Sequence, residues 1–344
     1  MAGRREGETR IDTGTFVTGM IVRAESGFYR VRTANGDVLC TLRGRLKDTL
    51  YEEVDDGSRR RRYADPGAVG DQVQVTILGD EGVVEEVLPR RSKLSRIMAK
   101  ANDGAPDVEQ VIVANVDRVV VVASVKRPRL NLRFIDRLLL LAEFGGASSL
   151  LCLNKSDLLR EKERTELDTL LERVYRPLGV QWHLVSAIDG EGIAELREAL
   201  VGELAVFVGS SGTGKSTILN SLEPSLNLRT GDVSKSSRKG RHTTTNVELF
   251  ETENGLRIAD TPGLREVGLW GVPKESIDFY FVEMRPYLGQ CQFGDCWHIE
   301  EPDCAVRAAV ASGKISRERY ESYRKLCREV PSEEHERPGH VRRR

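Results

Sequence analysis

Apolar and polar positions alternate with a period of two over much of the first 90 residues. The runs Phe16 to Arg23, Phe28 to Thr33, Val38 to Leu42, Gln72 to Leu78 and Gly82 to Leu88 are split by Ser-Gly, Asn-Gly and Asp-Glu-Gly turns, the signature of short strands joined by tight connections. Five strands in about 75 residues predict a small β-barrel, of OB type or, as the competing arrangement, SH3-like. Arg90 to Gln110 is polar and holds an Asp-Gly-Ala-Pro stretch. Val116 to Val125 is then apolar nearly throughout, as a parallel strand covered on both faces requires.

Helix and strand patterns alternate from there. They give helix Phe134 to Phe144, strand Ser149 to Leu153, helix Leu158 to Tyr175, strand Val180 to Val185, helix Ile193 to Leu200, strand Leu204 to Val208 and a helix from Lys215. The alternation predicts a doubly wound α/β sheet. Val247 to Glu251 and Leu256 to Ala259 read as a hairpin about Glu253-Asn254-Gly255, and beyond Gly271 the pattern turns helical, ending in the charged amphipathic segment Ser316 to Glu329. The expected division is a barrel over 1–95, an α/β domain over 96–270, a helical C-terminal domain over 271–330 and a disordered tail over 331–344.

Composition narrows the class. With 344 residues and 39% hydrophobic content, the chain can build two or three ordinary cores. No run of about 18 apolar residues occurs and the charged N-terminus has no apolar stretch behind it, so neither a membrane span nor a signal peptide is readable. The expected location is the cytoplasm. A net charge of -1 argues against a strongly basic nucleic-acid binder, although residues 1–100 hold 18 Lys+Arg against 16 Asp+Glu, with a basic run at Arg59 to Arg62.

The candidate chemistry begins where strand Leu204 to Val208 runs into Gly209-Ser210-Ser211-Gly212-Thr213-Gly214-Lys215-Ser216-Thr217. This is the G-x4-G-K-[ST] loop in its strand-to-helix context, which a plain Gly/Ser turn does not need. In such a loop the backbone N–H groups wrap phosphates, Lys215 reaches the β and γ phosphates, and the Ser216 hydroxyl holds Mg²⁺. Asp260, heading Asp260-Thr261-Pro262-Gly263 behind a strand, is the candidate second magnesium group through a metal-bound water. Gly263 would offer its N–H to the γ-phosphate. Between them lies Lys239-Gly240-Arg241-His242-Thr243-Thr244-Thr245, where one of the three threonines could complete the Mg²⁺ shell. Between Thr261 and Glu266 there is no glutamine to orient the attacking water, which makes His242 the candidate water-positioning group.

A second motif, Asn154-Lys155-Ser156-Asp157, follows the apolar strand Ser149 to Leu153. A fixed carboxylate at Asp157 can accept from guanine N1–H and the exocyclic amine, whereas adenine would leave it unpaired. Asn154 can steady the base edge, and the Lys155 stem can cover the base plane. Val185-Ser186-Ala187 ends the next strand, where a backbone N–H at Ser186 or Ala187 can meet the guanine O6. The base motif thus precedes the phosphate loop. That is the order of a circularly permuted GTP-binding domain, since termini that lie close together can be joined and new ends opened without changing the sheet. The opening falls after the Asp260 segment and leaves 271–330 to anchor that end.

Cys291, Cys296, His298 and Cys304 form C-x4-C-x-H-x5-C, a set that can close a tetrahedral Zn²⁺ shell. A disulfide or buried free thiols are the alternatives, less suited to a reducing compartment. Phe293 and Trp297 could pack around the cluster, and a structural zinc would rigidify a segment too short for its own core.

Taken together the chain closely resembles the ribosome small-subunit-dependent GTPase A (RsgA-type) family of circularly permuted bacterial GTPases. The resemblance runs from Gly27-Phe28-Tyr29 through Asn131-Leu132-Arg133 and Asp136-Arg137 to Gly240 to Thr245, the cysteine cluster and Ser316-Arg317-Glu318-Arg319-Tyr320. It implies an N-terminal OB barrel, a permuted P-loop GTPase domain and a C-terminal helical zinc domain. It further implies GTP hydrolysis stimulated by the small (30S) ribosomal subunit, a role in late maturation of that subunit, and binding to its 16S rRNA. The expected partners are GTP, GDP, the subunit and its RNA, with no membrane, for a monomeric chain. Thr213 departs from the family's more usual apolar residue, and Arg59 to Arg62 sit in a loop of variable length. Phe28 and Tyr29 are available for base stacking unless they pack in the barrel. A non-enzymatic RNA-binding switch is the competing class, and an ATP-dependent enzyme is disfavoured by Asp157.

Overall fold

The computed structural model describes residues 15–25, 27–53, 59–98, 108–228, 247–260 and 272–329. Five N-terminal strands, β1 (Thr15–Glu25), β2 (Phe28–Thr33), β3 (Gly36–Leu42), β6 (Gln72–Leu78) and β7 (Glu81–Val87), are ordered β1-β2-β3-β7-β6, and β6 returns to β1. Only β3 and β7 run parallel among these pairs. Closure in this order, with the third and fifth barrel strands parallel, distinguishes the OB barrel from the SH3-like alternative. Ile21, Val31, Cys40, Val73, Val75 and Val84 fill its interior, so the period-two pattern has the inward phase that a half-buried strand requires.

A small hairpin of β4 (Tyr51–Glu53) and β5 (Arg59–Arg61) interrupts the barrel. The basic run noted in the sequence therefore lies largely on a strand. The polar stretch 90–110 likewise contains structure: β8 (Lys93–Met98) pairs antiparallel with β9 (Val108–Ala114). The boundary expected at 95/96 falls inside β8. Bridges Tyr63↔Glu109 and Val69↔Val113 tie this hairpin to the chain that enters β6.

The α/β sheet is ordered β12-β11-β10-β13-β15-β14. Its members are β10 (Arg118–Ser124), β11 (Ser148–Asn154), β12 (Gln181–Val185), β13 (Leu204–Val208), β14 (Glu248–Glu251) and β15 (Arg257–Asp260). The first five in sheet order are parallel and β14 is antiparallel to β15. Pairing of Arg23 with Glu248 joins β14 to β1 and makes barrel and sheet continuous. Alternate residues of β10 and β11 enter different cores. Val119, Val121, Leu151 and Leu153 meet α1 (Leu132–Phe144) and α2 (Glu161–Val174), whereas Val120, Val122, Leu150 and Cys152 meet α3 (Ile193–Glu198) and α4 (Lys215–Leu222). Burying each large aliphatic side chain stabilises the fold by about 1.5–3 kcal/mol, and two-sided burial explains the continuous apolar runs.

The C-terminal part carries α5 (Ile277–Tyr280), α6 (Ala305–Ala311) and α7 (Arg317–Glu329), with α7 packed on α1. Among the described residues no helix is long and apolar enough to cross a membrane. The expected tail 331–344 lies outside the described residues.

Candidate functional site

The two nucleotide motifs meet at the carboxyl ends of the parallel strands, where open α/β sheets bind ligands. β10 lies between β11, which leads into Asn154, and β13, which leads into the Gly209 to Thr217 loop. Asn154 is buried, and its side chain joins three segments. Its Nδ2 donates to Thr213 O at 2.9 Å, and its Oδ1 accepts from Ala187 N–H at 3.2 Å. Lys155 takes the left-handed conformation, φ 70°, and its ammonium donates to Gly212 O at 2.7 Å and to Arg127 O. The Ser186 hydroxyl donates to Asp157 Oδ1 at 3.0 Å, which fixes the carboxylate expected to read a base.

Gly214 shows why the third glycine of the loop cannot be replaced. Its φ is 95°, and a Cβ there would lie 2.2 Å from Asn154 Nδ2, so any side chain would push the two motifs apart. Thr213 is buried, and its hydroxyl donates to Ser210 O at 2.9 Å. That bond accommodates a polar residue where the resembled family more often has an apolar one. Lys215 opens α4 and its ammonium donates to Gly209 O at 2.7 Å and Ser210 O at 2.9 Å. Ser216 and Thr217 follow in the first turn of the helix. Asp260 ends β15, whose Ala259 pairs with Val206 of β13, so its backbone runs beside the loop. His242, Thr243, Thr244, Thr245 and Gly263 lie outside the described residues.

One participant escaped the sequence reading. The Glu191 carboxylate accepts from Ser156 Oγ at 2.6 Å and from Arg164 Nη2 at 2.8 Å, while its backbone oxygen accepts from Ser186 N–H at 2.9 Å. The Ser156 hydrogen bond first, and that of Arg164 next, hold its carboxyl below the usual value. The available signal was Gly190-Glu191-Gly192, whose glycines both have positive φ, a tight turn that brings an acidic residue back toward the base motif.

At the other end of the chain, one ligand atom from each of Cys291, Cys296, His298 and Cys304 lies within 4.8 Å of the others. His298 Nδ1 is 3.4 Å from Cys291 Sγ and 3.3 Å from Cys304 Sγ, while Nε2 faces Asp278 Oδ2 at 3.4 Å. One ring nitrogen toward thiols and the other toward a carboxylate is the arrangement of a metal-ligating histidine with an orienting partner. Tyr320 and Tyr323 of α7 donate to His298 O and Trp297 O, both at 2.7 Å. The donor set therefore fits a metal ion. Phe293 is exposed and Trp297 half-buried, with the Lys274 ammonium 5.4 Å from the Trp297 ring centroid. In the barrel, Phe28 is 52% exposed and Tyr29 only 3%. Phe28 pairs with Thr41, and Arg30 with Leu39, on the outer β2–β3 face.

Similarity to known proteins agrees with this geometry. Residues 87–270 match the RsgA GTPase family. A protein of Gemmatimonas aurantiaca named small ribosomal subunit biogenesis GTPase RsgA is 39% identical over 92% of this chain and 98% of its own length. The protein of the same name in Moorella thermoacetica is 36% identical over 92% and 98%. Among solved structures, YjeQ from Thermotoga maritima superposes with TM-score 0.69 at 32% identity, covering 92% of this chain and 98% of that one. YloQ, described as a circularly permuted GTPase, gives 0.67 at 27% identity over 93% and 96%. With its motifs, their order and its fold shared over nearly the whole length, the chain belongs to the RsgA GTPase family.

Proposed function

We propose that this chain is a GTP hydrolase that acts in maturation of the small ribosomal subunit. The observation that carries the reading is Asn154, whose one amide holds the phosphate loop through Thr213 and the Ser186-Ala187 turn through Ala187. The segment read as the base motif and the one read as the phosphate loop are thereby tied side by side, even though the former comes first in the chain.

In this reading Asp157 selects guanine, with Ser186 holding its carboxylate, and Lys155 and Ala187 line the base. Backbone donors of Gly209 to Thr217 and the Lys215 ammonium take the phosphates. Ser216 and Asp260 would hold Mg²⁺, which neutralises charge on the β and γ oxygens when bound. His242 is the proposed water-positioning group, and Gly263 the γ-phosphate contact. Cys291, Cys296, His298 and Cys304 would hold one structural Zn²⁺, since three thiolates and an imidazole suit that ion. The proposed RNA-binding domain is the barrel that ends with β7, the proposed GTPase domain runs from the β8–β9 hairpin to residue 270, and 271–330 would form the zinc domain. 16S rRNA is the proposed contact, through the outer barrel face bearing Phe28 and Arg30. The protein acts as a cytoplasmic monomer.

The test measures phosphate release with and without purified 30S subunits, and sedimentation with 30S, 50S and 70S particles in GDP and in a non-hydrolysable GTP analogue. Stimulation by 30S and nucleotide-dependent binding to it are expected. Indifference to 30S, or retention on 50S alone, overturns the reading.

A further inference from the structure

GTP hydrolysis places negative charge on the bridging and γ oxygens as the water oxygen bonds to phosphorus and the bond to the β–γ bridging oxygen breaks. GDP, inorganic phosphate and a proton result. P-loop enzymes commonly meet this charge with an arginine, supplied by the same chain or by a partner. This sequence has no glutamine between Thr261 and Glu266 to orient the water, and beyond Lys215 no side-chain cation has yet been assigned to the transition-state charge. The loop between β10 and α1 carries candidate cations.

That loop lies against the phosphate cradle. The Lys155 ammonium donates both to Gly212 O and to Arg127 O, and two oxygens sharing one ammonium lie within about 6 Å of each other. Pro128 Cδ is the nearest atom, at 3.9 Å, to the position a Cβ would take on Gly212. The loop is pinned from below by Ser124, a buried residue whose Oγ accepts from Arg127 N–H at 3.1 Å and Lys126 N–H at 3.4 Å. The cations of this loop and of the helices beside it are not equivalent. Lys126 is held by Glu163 at 2.8 Å, Arg133 by Glu329 at 3.1 Å and Arg164 by Glu191 at 2.8 Å. Arg127 and Arg129 are exposed, and neither guanidinium has a hydrogen-bond, ion-pair or ring partner among the described residues. Arg129 lines a groove of about 580 Å³ against Glu318, Glu321 and Lys325 of α7. Arg127 is the one whose own main chain abuts the phosphate loop.

We infer that Arg127 is an arginine supplied in cis to the phosphates of bound GTP, where its charge stabilises the transition state. It transfers no proton. A guanidinium without a partner among the described residues fits the role because none of their carboxylates must be displaced when the triphosphate arrives, and its planar fork can bridge two phosphate oxygens. The inference rests on the proposed assignment of residues 209–217 as the phosphate cradle.

The experiment compares full-length parent, Arg127→Ala, Arg127→Lys, Arg129→Ala and Lys215→Ala. Turnover at saturating GTP is measured with and without 30S subunits, and GDP affinity with a fluorescent GDP analogue. Arginine fingers supply about 10³–10⁵ in kcat, and a solvent-exposed cis arginine should supply less. Arg127→Ala is expected to lower subunit-free kcat about tenfold or more with GDP affinity within about threefold of the parent. Arg127→Lys should recover only part of the loss, and Arg129→Ala should match the parent. Parental turnover of Arg127→Ala overturns the inference. So does a loss of GDP affinity in step with kcat, which would make Arg127 a loop-ordering residue, or a loss seen only with subunits, which would make it an RNA contact. Lys215→Ala tests the cradle separately: if that variant keeps parental GTP and GDP affinity, the assignment of the loop falls whatever Arg127→Ala does.

Discussion

Asp136 of α1 accepts a 2.8 Å hydrogen bond from Arg319 of α7, with the two side chains 0% and 3% exposed. Arg319 also donates to Glu283 at 2.7 Å and lies 4.3 Å from the Phe281 ring centroid, while Tyr175 OH donates to Asp136 at 3.1 Å. This buried network docks the cysteine-bearing segment on the α/β domain. It also gives a physical reason for two of the sequence features that marked the family resemblance, Asp136-Arg137 and Ser316 to Tyr320.

Breaking a buried ion pair from one side strands the remaining charge, at a cost of about 3–5 kcal/mol. Arg319→Met should therefore destabilise the α1–α7 contact by that order. Replacing Asp136 and Glu283 together with Arg319 by apolar residues should cost much less. Urea unfolding followed through hydrogen exchange of α7 amides reads both. Equal destabilisation by the single and the triple variant would show that packing, not charge, holds the helix.

Asn154→Ala leaves the Thr213 carbonyl and the Ala187 N–H without their buried partner. Each such loss costs about 1–3 kcal/mol, and because the unliganded protein bears part of that cost, GDP affinity should fall roughly tenfold to several hundredfold, with the helices of the α/β domain intact by circular dichroism. An affinity unchanged within about twofold would mean that the two loops hold their places without the amide bridge.

The contrast between these two sites shows what the sequence could carry. The phosphate loop, the base motif and the parallel strands were legible because their signals are local: glycine spacing, a strand feeding a helix, an unbroken apolar run. The Asp136–Arg319 pair spans 183 positions, and nothing local in either residue names the other. The β8–β9 hairpin was missed for a related reason, since Lys93–Met98 is mixed in polarity and gains its strand character from β9. Phe28 and Tyr29 were indistinguishable as neighbours until pairing with Thr41 and Cys40 set which faces out.

Glu191 links the base site to pH. Its folded-state carboxyl is held below the ordinary 4.5, by the Ser156 hydrogen bond first and Arg164 second. A depressed carboxyl contributes stability that is fully present above 4.5 and is lost as pH falls through the lower folded-state value. The side chain is largely open to solvent, so screening keeps the effect small. Thermal melts of parent and Glu191→Gln should differ at pH 7, with the parent higher, and converge as the pH falls from 4.5 through the lower folded-state value. A difference that stays constant across that range would assign the effect to packing.

The cysteine cluster yields the last prediction. The protein as isolated should contain one zinc per chain by elemental analysis, and Cys296→Ser or Cys304→Ser should remove most of it. Asp278 lies 3.4 Å from His298 Nε2, where it can hold the ring so that Nδ1 faces the thiols. Partners of this kind are worth about 10–100-fold in metal affinity. Asp278→Asn should therefore retain the metal at neutral pH but release it to a competing chelator at a concentration lower by that factor, read with a chromophoric zinc indicator. Because Tyr320 and Tyr323 of α7 hold the backbone of His298 and Trp297, zinc release should also speed exchange of the α7 amides while leaving β10 and β11 protected. Zinc binding by Asp278→Asn as tight as in the parent would show that the cysteine loop and α7 alone orient the imidazole.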